Sequence, residues 1–428
     1  LSNLAKRSSP DAGPITQDFQ TLGLTVSTSQ PAVSERLLVL LVGAVQFVNI
    51  LDFMMVMPLG PDFANSLGIA TSSVGLIGGI YTAAAAASGV LGSLFLDRFD
   101  RRQALGFAML GLVIGTALGG MATGLASMLF ARVVAGCFGG PATSLALAII
   151  TDAVPPARRG KALGAVMGAF SVASVLGVPL GLELSQRLGW RAPFFAVAAM
   201  GLVVTLAAVG LMPPMRAHLT PRPAHTRRRL IDTTAWVSLA TMGAVMLSVF
   251  AVVPSISPFV QHNLGYPRGM ISLLYLVGGI ASFISMRVVG HWVDRTGASR
   301  TVLVGTLVFG VAVYAGFIHP VSWLPTLLVF TLFMMSGSIR MVPMQTLATR
   351  VPGPEQRAGF MSAQSVVQHV ASATGAMAAA AYLTSAPDGR LQGIETVAWA
   401  SLAIAAFVPL GARLLETRLR TRDAAQVR

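Results

Sequence analysis

Long apolar runs alternate with short polar segments along most of the chain. A helix that crosses a bilayer needs about 20 predominantly apolar residues. Runs of about that length predict twelve spanning helices, over 37–59, 74–96, 103–122, 125–150, 161–183, 194–212, 235–258, 270–289, 301–318, 325–348, 361–383 and 397–415. Barrel strands are excluded, because they would be shorter and would alternate apolar with polar residues. The fold expected is an all-α integral membrane protein. Polar tails, 1–36 and 416–428, flank the runs and are expected to be disordered or to lie on the membrane surface. The first of them has no apolar core of signal-peptide type.

Polar landmarks between the runs repeat. Ser93-Leu94-Phe95-Leu96-Asp97-Arg98-Phe99-Asp100-Arg101-Arg102 is echoed by Gly290-His291-Trp292-Val293-Asp294-Arg295-Thr296-Gly297-Ala298-Ser299-Arg300. Asp97 and Asp294 are 197 positions apart, and Arg159 and Arg357, each in a basic-Gly context, are 198 apart. Matching offsets from separate landmarks indicate an internal duplication. The spans therefore divide into two pseudo-symmetric six-helix bundles, 37–212 and 235–415, joined by a linker at 213–234 that holds Arg227, Arg228 and Arg229.

These motifs resemble the signature loop between the second and third helices of the major facilitator superfamily, and its echo between the eighth and ninth. The second copy has Gly290, Asp294, Arg295, Gly297 and Arg300 in place; the first departs at Ser93 and Asp100, where the family usually has Gly. The resemblance implies a gate at this face, built from Asp97, Arg98, Arg101, Arg102, Asp294, Arg295 and Arg300, with Asp152 within reach of Arg101 or Arg102. Arg132-Val133-Val134-Ala135-Gly136 resembles the family's fourth-span Arg-x-x-x-Gly motif, which implies a part in proton transfer. Leu176-Gly177-Val178-Pro179-Leu180-Gly181 resembles the fifth span of bacterial drug and sugar exporters, with Val178 standing where their antiporter motif usually has Gly.

Composition agrees with a bilayer solvent: 54% of residues are hydrophobic and 11% charged, against roughly 25% charged in soluble domains. The net charge of +14 raises the possibility of nucleic acid binding, but its placement points elsewhere. With the N-terminus cytoplasmic, 23 of the 30 Lys and Arg fall on the inner side, 4 on the outer side and 3 inside spans. Such asymmetry orients membrane proteins. Both termini are expected inside, in a bacterial inner membrane. The single cysteine, Cys137, lies in an apolar run and reads as a small packing residue.

Charge inside a span disfavours insertion by ~2.5–3.5 kcal/mol and needs a reason. Gln46, Asn49 and Asp52 recur every third residue and form a polar stripe on the first span. Asp52 precedes the outer end of its span by seven residues, and Arg132 follows the outer start of the fourth span by seven, so both lie ~10 Å deep. They are candidates for a proton-coupling pair; a purely structural ion pair is the alternative. Arg340, Gln368 and His369 fall at similar depth from the inner face in spans ten and eleven. With Gln46 and Asn49 they are the candidate substrate-binding residues. Glu183, near the outer end of span five, is a further candidate for titration, and an interfacial solvated Glu is the simpler reading. Arg287 is expected to extend to the interface. Met54, Met55, Met57, Met334, Met335, Met341 and Met344 could adapt to varied ligands, or pack against core and lipid.

No phosphate loop, metal-ligand spacing or nucleophile set is visible, so no cofactor, no metal and no enzymatic activity are expected. The reading is a secondary-active transporter working by alternating access, exporting small drug-like or metabolite molecules in exchange for protons. A proton-coupled uptake symporter is the runner-up, and a membrane-embedded enzyme or receptor a distant alternative. The expected partners are a small-molecule substrate, protons and membrane lipids, with no nucleic acid and the chain acting as a monomer.

Overall fold

Every predicted run folds as a helix, because a backbone in hydrocarbon must satisfy its N–H and C=O groups within itself. The computed structural model describes residues 34–216, 232–320, 324–352 and 357–427. The spanning helices are α1 (Glu35–Val56), α2 (Val74–Phe95), α3 (Arg101–Gly120), α4 (Leu125–Ala153), α5 (Arg158–Leu188) and α6 (Arg191–Leu211). They continue with α7 (Thr233–Pro258), α8 (Ile271–Thr296), α9 (Ala298–Val313), α10 (Thr326–Arg350), α11 (Arg357–Tyr382) and α12 (Ile394–Val427). Eleven are both long and apolar enough to cross a bilayer. The remaining one, α11, has the length at 26 residues, but Gln364, Gln368, His369 and several Ser lower its apolarity.

Local chemistry sets the ends and the breaks. Ser34, Asp100 and Asp232 cap α1, α3 and α7, their side chains accepting from the backbone N–H of Leu37, Arg102 and Ala235. Within α5 the chain widens into a π turn at Ala173–Gly177, immediately before Pro179. Pro179 has no N–H to donate and its ring crowds the preceding turn, so the ladder resets there. Gly177 also lets α1 approach: a Cβ on it would lie 2.7 Å from Leu51 Cδ1. Similar π turns extend α7 through Phe259–Asn263, after Pro254 and Pro258, and α9 through Tyr314–Ile318.

The stretch between α1 and α2 holds a short helix, Gly60–Leu67. Pro61 starts it, Gly68 ends it in the left-handed conformation (φ 65°), and Phe63 is fully buried against Trp190. The tail from 416 is not disordered, because α12 continues as one helix to Val427. It is held by tertiary contacts: Glu416 accepts from Ser299 N–H (2.9 Å), Arg350 pairs with Asp423 (2.6 Å), and Arg422 donates to the Val351 carbonyl (2.8 Å). The expected tail 1–36 lies outside the described residues except for its last three. Of the expected linker 213–234, residues 217–231 lie outside them as well, Arg227, Arg228 and Arg229 included.

α1–α6 pack on one another, as do α7–α12. The halves meet chiefly along α2 with α11 and α5 with α8. Small residues make the first seam: a Cβ on Gly75 would lie 2.8 Å from the Ala376 carbonyl oxygen, and one on Gly79 would lie 2.6 Å from Met377. The start of α1 and the end of α12 fall at one end, since the chain crosses an even number of times between them. At the far end a short antiparallel pair, β1 (Thr384–Ser385) with β2 (Leu391–Gln392), joins α11 to α12.

Candidate functional site

Asp52 and Arg132 meet in the interior of the first half. Arg132 donates through Nη1 to Asp52 Oδ1 and through Nη2 to Oδ2, each at 3.1 Å, and neither side chain is more than 1% exposed. Thr116 Oγ1 of α3 donates to Asp52 Oδ1 at 2.7 Å. The guanidinium lies 4.4 Å over the ring of Tyr81 on α2. Tyr81 in turn donates its hydroxyl to Asn49 Oδ1 (2.9 Å), and Asn49 Nδ2 donates to the Gly139 carbonyl (2.8 Å) and to Thr143 Oγ1 (2.6 Å). Gly136 and Gly139 of α4 make room for Tyr81, whose backbone and hydroxyl occupy the space that a Cβ would need. That is the physical content of Gly in the Arg-x-x-x-Gly motif here. Nothing in the sequence pointed to Tyr81; a lone Tyr in an Ala- and Gly-rich span was the available signal.

The five candidate substrate residues do not form one cluster. Asn49 spends both ends of its amide inside the first half, and Gln46 is 4% exposed with its Oε1 unpaired. Arg340 is not open to solvent in this conformation. It lies fully buried inside the second half, where Nη2 donates to Ser248 Oγ of α7 (2.7 Å) and Cζ sits 4.3 Å over Phe309 of α9. The cause is Gly305 of α9, whose missing Cβ leaves space for the arginine stem. Gln368 and His369 are half-buried on α11. His369 shares a stripe with Ala373, Ala376 and Ala380, which press on α2, so it looks toward the first half one turn nearer the termini end. Glu183 pairs with its neighbour Arg187 at 2.7 Å, as an exposed i, i+4 pair. Arg287 is exposed, stacked 5.0 Å from Phe283. Among the described residues no group of His, Cys, Asp or Glu is arranged to hold a metal.

At the termini end, Arg101 Nε lies 3.3 Å from Asp152 Oδ2, while Arg102 Nη1 donates to the Met212 carbonyl at 3.1 Å. The side chains of Arg98, Asp294, Arg295 and Arg300 are exposed, without a hydrogen bond or ion pair to another described residue, and that of Asp97 lies outside the description. Asp100, one of the departures from the family pattern, is buried and accepts from Arg102 N–H (2.9 Å), Met215 N–H (3.2 Å) and Arg216 Nε (3.1 Å). Burial alone would raise its carboxyl. The hydrogen bonds from Met215, Arg102 and Arg216, with the charge of Arg216, outweigh that and hold it below the usual range. In the second half a carboxylate also ties down the start of the third helix: Glu416 accepts from the N–H of Ser299 at 2.9 Å.

At the far end a second cluster joins the halves, and the sequence did not reveal it. Asp62, on the short helix after α1, is paired side by side with Arg268 before α8, Nε to Oδ1 at 2.7 Å and Nη2 to Oδ2. Ser185 of α5 also donates to Asp62 Oδ2 (2.9 Å). Thr71 Oγ1 lies 2.9 Å from Ser385 Oγ and donates to the Gly389 carbonyl (3.0 Å), and Ser257 donates to the Pro58 carbonyl (2.9 Å). Among the described residues, every hydrogen bond and ion pair between the halves lies at this end. The conformation is therefore latched at that end.

The family profile of the Major Facilitator Superfamily matches residues 42–246 and 237–426. A chloramphenicol resistance protein of Streptomyces lividans is 27% identical over 402 residues, 90% of this chain and 98% of that protein. The purine ribonucleoside efflux pump NepI of Escherichia coli is 27% identical over 241 residues, 55% of this chain and 59% of that protein. Among solved structures, a bacterial homologue of the human lysosomal transporter Spinster, inward-facing and occupied, superposes with a TM-score of 0.69 at 18% identity, covering 90% of this chain and 97% of that one. A D-xylose–proton symporter gives 0.66 at 16% identity, covering 88% and 96%. With matches across both helical halves, the chain belongs to the Major Facilitator Superfamily of membrane transporters.

Proposed function

We propose that this transporter exports small drug-like or metabolite molecules across a bacterial inner membrane in exchange for protons. Both termini are cytoplasmic in this reading, which makes the closed end periplasmic and the conformation inward-facing. The observation that carries it is the buried Asp52–Arg132 pair. It is the only pairing of a carboxylate with a guanidinium, among the described residues, in which both groups are almost wholly removed from solvent. Export rather than uptake is supported by two relatives whose names describe chloramphenicol resistance and nucleoside efflux.

Proton exchange is assigned to Asp52, the carboxylate buried against Arg132. Rocking of the halves changes the surroundings of the pair. When the site opens outward, a proton adds to a carboxylate oxygen of Asp52 and Arg132 is left on Tyr81. When it opens inward, the proton leaves and the pair re-forms. Substrate and proton bias the same two states and so are coupled reciprocally. Asp97, Arg98, Arg101, Arg102 and Asp152 of the first half, with Asp294, Arg295 and Arg300 of the second, are assigned to closing the cytoplasmic end in the alternative state. The test is proton flux on adding substrate to proteoliposomes. Asp52→Asn should keep substrate binding and lose transport driven by a pH gradient. Proton flux equal to that of the parent protein would remove Asp52 from the coupling step.

A further inference from the structure

The charges buried at mid-depth do not cancel. Of the 16 Asp and Glu, Asp52 is the one placed deep in a span, and it is consumed by Arg132 and Thr116. Arg340 is fully buried and, among the described residues, has no carboxylate beside it. Its Nε and Nη1 find no acceptor among those residues, where Ser248 Oγ and the face of Phe309 are what offsets the charge. A guanidinium without a counter-charge in a low-dielectric interior acts over a longer range than it would in water. Gln368 and His369, half-buried on α11, add hydrogen-bonding capacity but no negative charge. Gln46 Oε1 and Gln364 Oε1 are further buried groups without a partner.

We propose that the transport site selects by charge: it takes neutral or anionic molecules that carry hydrogen-bond acceptors, and it excludes organic cations. A cation entering between the halves would meet the uncompensated field of Arg340 and find no carboxylate free to replace its hydration. An acceptor group on a neutral or anionic ligand gains from the same field. Names of two relatives agree with this, since chloramphenicol and purine ribonucleosides are uncharged at neutral pH.

The inference rests on the proposed transport of small organic molecules, but its test needs no gradient. Equilibrium binding to the full chain in lipid nanodiscs is measured for chloramphenicol and inosine as neutral probes, fluorescein as anion, and tetraphenylphosphonium and ethidium as cations. Binding is expected only among the first three. Arg340→Met should raise affinity for the cations by about tenfold or more. Gln368→Glu, which puts a carboxylate on α11 and leaves the buried arginine intact, should do the same, and it stands as the test if Arg340→Met does not fold. A cation that binds the parent protein as tightly as the neutral probes, a panel with no binder, or no gain of cation binding in folded variants overturns the proposal. Neutral probes that bind but never move in liposomes would fail the transport reading and leave this one standing.

Discussion

Arg132 has three kinds of partner at once: a carboxylate, an aromatic face and, through Tyr81, the amide of Asn49. Removing one member therefore does different damage from removing another. Arg132→Ala leaves the Asp52 carboxylate buried without a counter-charge, which should destabilise the protein by ~3–5 kcal/mol. Asp52→Asn keeps the shape and removes the charge of the acid. Tyr81→Phe is milder: the ring stays under the guanidinium, and one buried hydrogen bond to Asn49 is lost, for about 1 kcal/mol. Thermal unfolding in detergent should rank the three with Arg132→Ala worst and Tyr81→Phe best. A Tyr81→Phe protein as unstable as Arg132→Ala would mean that the hydroxyl, not the ring, holds the cluster.

At the scale of elements, the seam of α2 with α11 and the tie of Asp62 to Arg268 close the same end. Gly79→Leu would push α2 off Met377 and the Ala373 carbonyl, so closure at that end should fail. Arg268→Ala removes the ion pair and leaves Asp62 with Ser185, a smaller change that should shift the state balance without abolishing closure. Cysteine pairs placed across the far end should cross-link less in both variants, and least in Gly79→Leu; unchanged cross-linking would make the tie irrelevant to the state. The loop before α3 responds to pH. Because the carboxyl of Asp100 is held below its usual value of 3.8, its contribution to folding is complete above that value and lost as pH falls below it. Asp100→Gly restores the family residue but removes a cap and frees the backbone of Met215. Its cost, about 1 kcal/mol near neutrality from the lost hydrogen bonds, should vanish in acid. Hydrogen exchange of Arg102 and Met215 across that range reads the effect.

For the whole molecule, orientation follows from charge and conformation from contacts. The basic asymmetry predicts that Thr226→Cys reacts with an impermeant thiol reagent from the cytoplasmic side and Ser66→Cys from the outside. Ser66 is exposed at the closed end, on the short helix that carries Asp62. Labelling of Thr226→Cys from outside intact cells would invert the assignment and turn the closed end cytoplasmic. Duplication appears at this scale as well. Asp100 with Arg216 in the first half and Glu416 with the N–H of Ser299 in the second both join the start of the third helix of a half to the chain at the end of its sixth.

The sequence by itself determined what depends on composition and position along one helix. Span number, the duplicated halves and the equal depth of Asp52 and Arg132 all follow from run length and a rise of 1.5 Å per residue, because the bilayer fixes where each helix must start and stop. Only the tertiary structure decided what depends on rotation and on neighbours distant in the chain. It placed Tyr81 beneath Arg132, turned Arg340 into its own half against Phe309, and brought Asp62 to Arg268 across 206 positions. It also extended α12 past the expected membrane boundary, by giving Glu416 and Asp423 partners on other helices. Depth is written in one dimension of the sequence. The direction in which a helix faces is settled only when the helices around it are in place.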